Sequence, residues 1–188
     1  MVPVKIQTEL SSRFSFKTYC EYILSVFPKK DFNDLAEIRI VDVYAKFNKK
    51  HESALACYYF EKEDKFAVIE VNITNLIGQK IPIYLFEGYP EIASLLLTST
   101  IGHELGHHVH IYRRNGVKQK EREKFADNYA KAGYFHYLKL REAKILKSYW
   151  LASKNIIEFD SETRESFKQA REELISWVEK HPDGIPFP

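Results

Sequence analysis

The sequence predicts a single α+β domain, on three observations. Residues 37–73 hold runs rich in β-branched and aromatic residues that largely alternate in polarity, as strands half-buried on a core do. From residue 91 onward, apolar residues recur at helical spacing almost to the C-terminus. The 188 residues, 45% hydrophobic and 29% charged, are enough for one sizeable core. The domain is expected over residues 1–181. Residues 182–188 (Pro182-Asp183-Gly184-Ile185-Pro186-Phe187-Pro188) cannot be helical and are expected to form an extended tail, either a disordered end or an internal blocker of a cleft.

The elements follow in order. Residues 9–27 fit helical spacing from about Phe16 onward, and Pro28 closes that helix, whose aromatic residues read as core. Residues 37–47 read as a strand, and Asn48 to Glu52 as a polar loop. Residues 54–60 and 66–73 are two β-prone runs joined by the charged link 61–65, a hairpin. Residues 75–90, with Gly78, Pro82, Gly88 and Pro90, read as punctuation around one short strand at 81–86. A helix is expected over 91–112, largely buried because its apolar residues lie on several sides. After a short link at 113–117, where Asn115-Gly116 is a helix stop, a second helix begins near Lys120. Further helical segments cover 134–153 and 161–180, the last with Ser161 or Thr163 as its cap.

Composition narrows the function classes. The net charge of +2 comes from nearly balanced acids and bases with no block of like charges, so no nucleic-acid partner is implied. Cys20 and Cys57 have no metal-ligand spacing and read as free or buried thiols. Residues 1–5 do not resemble a targeting segment, and the longest uncharged apolar stretch, 92–102, is too short to span a bilayer. A protein without a membrane partner, located in the cytoplasm, is expected.

The chemistry is concentrated in His103-Glu104-Leu105-Gly106-His107. On a helix, residues i and i+4 share a face, so His103 and His107 can present two imidazoles to one tetrahedral zinc ion. Glu104 beside them can take a proton from a water whose pKa zinc lowers to about 7. The next helix carries Glu123 and Asp127 at the same i, i+4 spacing. A short link makes the two helices antiparallel neighbours. With the turn near Gly116, His107 and Glu123 fall within about 3 Å of one level along the axes. Glu123 can therefore reach the same metal, and Asp127 suits an acceptor for the N–H of a ligand histidine.

These two halves, His103-Glu104-Leu105-Gly106-His107 and Glu123-Lys124-Phe125-Ala126-Asp127, resemble the pattern of the gluzincin metallopeptidases, and Ala126-Asp127 through Ala130 looks like the third-ligand helix of minimal gluzincins and ImmA/IrrE-type proteins. The resemblance spans roughly residues 60–135. It implies zinc held by His103, His107 and Glu123, Glu104 as general base and Asp127 behind the ligands. It also implies a zincin-like fold: a small, twisted, mostly antiparallel sheet packed on the central motif helix, with an edge strand that pairs with extended substrate. A metzincin is excluded, since that pattern needs Gly at position 110 and His at 113, where this chain has His110 and Arg113.

The remaining histidines are weaker candidates. His110 lies about 10 Å along the helix from His103, too far to share one ion. His108 can pair with Glu104 at i, i+4 and is a candidate substrate-side group. His136, with Tyr134 and Tyr137, is a candidate for oxyanion stabilisation, but only if the helix breaks near Gly133. Gly102 and Gly106 each cost a helix about 1 kcal/mol relative to Ala, which suggests a strand or substrate backbone passing close by. The expected function is hydrolysis of a peptide or protein substrate by a zinc metallopeptidase. The competing expectation is a non-catalytic or latent zincin-like interaction module.

Overall fold

The structure is a computed structural model that describes residues 2–12, 14–43, 53–61, 66–79, 83–113, 119–155 and 157–188. Four strands, β1 (Val4–Gln7), β2 (Leu35–Val41), β3 (Ala56–Glu61) and β4 (Phe66–Asn72), form one sheet in the order β1-β2-β4-β3. Among the described residues, six α-helices accompany it: α1 (Phe16–Ser25), α2 (Ile73–Gln79), α3 (Ile83–Gly88), α4 (Pro90–Arg113), α5 (Gln119–Lys154) and α6 (Ser161–Lys180). The fold is α+β, as expected. No helix among the described residues is long and apolar enough to cross a membrane.

The sheet is mixed, which corrects the mostly antiparallel expectation. β1 pairs parallel to β2, and β2 parallel to β4; only β3 runs antiparallel, against β4. A parallel pair needs a crossover, and α1 supplies it between β1 and β2. The hairpin of β3 and β4 is the one pairing whose partners are close in sequence, and it forms as the alternating runs predict. β1 lies in a segment for which no strand was expected. Its Val-Lys-Ile-Gln alternation matches its alternately half-buried and exposed side chains, but four residues are too few to stand out.

A polar ladder crosses all four strands on one face. Lys5 on β1 pairs with Glu37 on β2, Glu37 with Arg39, and Arg39 with Glu70 on β4 at 3.1 Å. The Tyr59 hydroxyl on β3 donates to Glu70 at 2.6 Å. Glu70 is fully buried, and its position beside Arg39 meets the requirement that buried charge be paired. The ladder fixes the register of the edge strand β3 against its neighbours.

Two other local expectations are overturned between the sheet and α4. Residues 75–79, expected as punctuation, lie in α2, which Ile73, expected as a strand end, opens; the expected strand at 81–86 is helical from Ile83 onward, with 81 and 82 outside the described residues. Leu76, Leu85 and Phe86 from these two short helices are buried, so burial of alternate faces overrides the Gly and Pro signals around them. The strand expected over 37–47 is β2, two residues earlier at its start and ending at Val41, with Asp42 and Val43 in a bend; 44–47, like the loop 48–52, lie outside the described residues. At α6 the cap is Asp160, whose carboxylate accepts from the Thr163 N–H at 2.7 Å, rather than Ser161 or Thr163.

α4 is the centre of the domain. The sheet packs on one side of it and α5 on the other, and residues such as Ile92, Leu95, Ile101 and Leu105 from different sides are all buried. Thr98 and Ser94 satisfy their hydroxyls on the preceding turn, so they add no unpaired polar group to this core. α5 is continuous for 36 residues, with no break at Gly133. At its far end, Arg141 forms a two-pronged pair with Glu91 at the start of α4, which sets the register of the two helices from that side.

The α4–α5 contact is built from small residues. A Cβ on Gly106 would stand 2.7 Å from the Ala126 Cα, and one on Gly102 would stand 3.0 Å from the Ala130 Cα. These glycines therefore serve the approach of α5, not of a strand or substrate. The C-terminal segment also packs down: the Phe187 ring lies 4.9 Å from Tyr129 and stacks at 5.1 Å on His136, whose Nε2 donates to the Ile185 carbonyl at 3.0 Å. It is an extended segment held against α5 rather than a disordered end.

Because the neighbour of Gly106 is backbone, it can yield only by separating the helices. Gly106→Ala is expected to destabilise the fold by about 1–3 kcal/mol despite its better helix propensity. Urea unfolding monitored by circular dichroism checks this; a gain in stability would contradict the close approach.

Candidate metal centre

The motif helix carries two neighbouring stripes that face different partners. His103 and His107 face α5, and Glu104 and His108 face the edge strand β3. Each stripe uses the same i, i+4 repeat, offset by one residue, so one helix addresses two elements at once.

On the α5 side, three donor atoms converge. The Nε2 atoms of His103 and His107 are 3.1 Å apart, and Glu123 Oε2 lies 3.5 Å from the first and 3.6 Å from the second. A tetrahedral ion with bonds of about 2.0–2.1 Å has donor-to-donor edges of about 3.3 Å. All three edges are close to that value, and His103, His107 and Glu123 are the group among the described residues whose donors could hold an ion. The donor set, two imidazoles and a carboxylate, is one that zinc accepts while keeping a fourth position open.

Asp127 lies one turn beyond Glu123, with Oδ1 3.1 Å from the Nδ1 of His103. A proton on Nδ1 donated to this carboxylate leaves the Nε2 lone pair aimed at the centre of the triangle. His107 is held below the ordinary histidine range, first by burial and then by the neighbouring His103. It therefore stays neutral, as a ligand must, to lower pH than an exposed histidine.

Glu104 stands outside the triangle. It and His103 line a cleft of about 480 Å³, together with Leu55, Ala56, Leu76 and Leu96. Enclosure of its carboxyl pushes its pKa up to about 7, against the opposing pull of His103 and of a hydrogen bond from the Tyr58 backbone N–H. That bond follows from strand register. Leu55 accepts from Asn72 across the hairpin, so in the antiparallel alternation Ala56 and Tyr58 turn their backbone groups to the outer edge of β3. This edge runs beside the motif helix.

The structure thus brings His103, His107, Glu123, Asp127 and Glu104 together and leaves two other candidates outside. His108 is 1% exposed; its Nε2 lies 2.8 Å from the Asn33 carbonyl and its Nδ1 3.3 Å from the Tyr58 hydroxyl. It does not face the cleft. His136 is thirteen residues past Glu123 on an unbroken helix, about 20 Å along the axis, and is engaged by the C-terminal segment. Tyr134 packs on Trp177, and Tyr137 is fully buried. His110 is buried against Phe125. Tyr58 is the site residue that sequence reasoning missed: nothing local to the hairpin marks which of its residues meets Glu104. Compared with protein-family models, curated proteins and solved structures, the chain matches none of them.

The raised pKa of Glu104 has a consequence for the metal-free protein. A folded-state pKa above the unfolded value means that the folded state holds the proton more tightly, so this group costs stability as pH rises from about 4.5 through about 7. In metal-free protein, Glu104→Gln is expected to be more stable than wild type at pH 8 by up to about 3 kcal/mol, with the difference vanishing near pH 4. Thermal melts across that range, in chelator, measure it.

Proposed function

We propose that this chain is a zinc-dependent peptidase of the gluzincin type, with His103, His107 and Glu123 as metal ligands and Glu104 as general base. The observation that carries this reading is the triangle of donors with edges of 3.1, 3.5 and 3.6 Å beside a separate carboxyl that opens on a cleft. Zinc, when bound there, supplies a Lewis acid for a carbonyl and an acidified water. Glu104 takes the proton from the attacking water and returns it to the departing amine; a pKa near neutrality suits both transfers. Asp127 keeps His103 in the tautomer that presents Nε2.

The substrate class follows from the cleft wall. The outer edge of β3 offers backbone groups at alternate residues, which favours an extended peptide or protein segment laid along it as a further strand. A sheet whose single antiparallel strand lies at the edge beside the motif helix supports a zincin-like arrangement. The competing reading, a latent module blocked by its own C-terminus, draws no support from residues 182–188, whose contacts are with Phe27, Tyr129 and His136 and which do not line the cleft.

Elemental analysis by mass spectrometry is the first test. Wild type purified without added metal is expected to carry zinc and Glu123→Ala to lose most of it, whereas Glu104→Gln keeps zinc and loses about a thousandfold in peptide hydrolysis. Wild type that takes up no zinc when offered it, or Glu104→Gln with undiminished activity, would overturn the proposal.

A further inference from the structure

Tyr58 meets the motif helix at two points. Its backbone N–H bonds to the Glu104 carboxylate, and its side-chain hydroxyl lies 3.3 Å from the Nδ1 of His108, one helical turn further along. The two ring centroids are 5.6 Å apart and the rings are tilted by 58°. A direct Glu104–His108 pair is expected from their i, i+4 spacing; instead, one residue of the edge strand is gripped between them.

The protons in this chain of contacts are determined by chemistry. The Asn33 carbonyl can only accept, so the His108 Nε2 at 2.8 Å carries a proton and donates. At the other ring nitrogen, Nδ1 meets the Tyr58 hydroxyl, a group able to donate, at 3.3 Å. Asn33 lies just before β2 and next to the 3-10 turn Lys29–Phe32, which packs on α4 and is tied to α5 through the Asp31 carboxylate and the Tyr129 hydroxyl at 2.7 Å. The sequence of contacts therefore runs from a rigid part of the core, through His108, to the edge strand and back to Glu104.

We propose that His108 and Tyr58 are positioning residues for Glu104: the imidazole, anchored on the Asn33 carbonyl, holds the Tyr58 side chain so that the Tyr58 N–H stays aimed at the general base. β3 is an edge strand, paired on one side only by β4. Without a second anchor it can shift on the helix, and a small displacement of the N–H changes where the carboxylate points. His103 and His107 lie on the other stripe of α4 and Glu123 lies on α5, so the grip acts on the base and not on these three side chains. The kinetic part of this inference rests on the peptidase reading; the geometric part does not.

The test uses zinc-loaded full-length chain as wild type, Tyr58→Phe, His108→Ala and His108→Asn, the last placing an amide oxygen near the site of Nδ1. Amide hydrogen exchange by NMR reads position 58 directly, with Cys57 and Tyr59, whose N–H groups face β4, as internal controls. Tyr58→Phe and His108→Ala are expected to speed exchange at position 58 about tenfold with the controls changing less than about twofold. They are also expected to lower kcat on a peptide substrate about tenfold with KM and zinc content little changed. His108→Asn is expected to recover much of both losses relative to His108→Ala.

Unchanged exchange at position 58, or faster exchange spread evenly over β3, would overturn the proposal, because either outcome means that the contact is ordinary core packing. So would a kcat that ignores both variants while exchange at position 58 rises. If zinc-loaded wild type cleaves no peptide, the peptidase reading fails, and exchange at position 58 alone decides the positioning.

Discussion

The arrangement of this domain depends on how closely α5 approaches α4. Gly102 and Gly106 meet Ala130 and Ala126 at four-residue steps, so the two backbones lie closer than larger side chains would allow. One residue further along α4 and three residues back along α5, His103 and His107 meet Asp127 and Glu123 at the same four-residue steps. Small residues and polar groups thus share one register. The short carboxylate side chain of Glu123 reaches two imidazoles because the glycines let its helix come near. Phe27 packs into the same crossing, its ring over Gly102 and Gly133 and stacked at 5.7 Å on Tyr129, which closes the contact on the side away from the cleft.

The central helix divides its work by face. One stripe takes part in a cluster of donors with the solvent-exposed carboxylates of Glu123 and Asp127. The adjacent stripe enters the boundary with the sheet, where enclosure favours neutral forms: Glu104 is pushed toward protonation and His108 toward its uncharged state. The Tyr58 N–H limits the effect on Glu104 by favouring its ionised form.

Much of the site was legible because the half built from the donor triangle is periodic and local. The i, i+4 pairs and the short link place His103, His107, Glu123 and Asp127 together by helix geometry alone. The sheet was harder to read. Parallel pairing leaves no mark in a local pattern, and β1 is only four residues long. Gly78, Pro82, Gly88 and Pro90 suggested turns where Leu76, Leu85 and Phe86 are buried on two short helices. His108 and His136 invited functional readings because a histidine near a motif reveals its spacing but not its neighbours. The partners of both, Tyr58 with Asn33 and Ile185 with Phe187, are distant in sequence.

This division between near and far also orders the assembly of the site. His107 and Glu123 are separated by sixteen residues, whereas the contact of Tyr58 with His108 closes a segment of fifty. Chain closure over the longer span costs about 1 kcal/mol more, and helical hairpins form ahead of non-local strand pairs in any case. The donor triangle belongs to the α4–α5 hairpin and requires no strand, so its three side chains can converge before the edge strand docks. Convergence of these donors is thus the more local step, and the contact of Glu104 with Tyr58 is the less local one, made when the sheet closes over the helix.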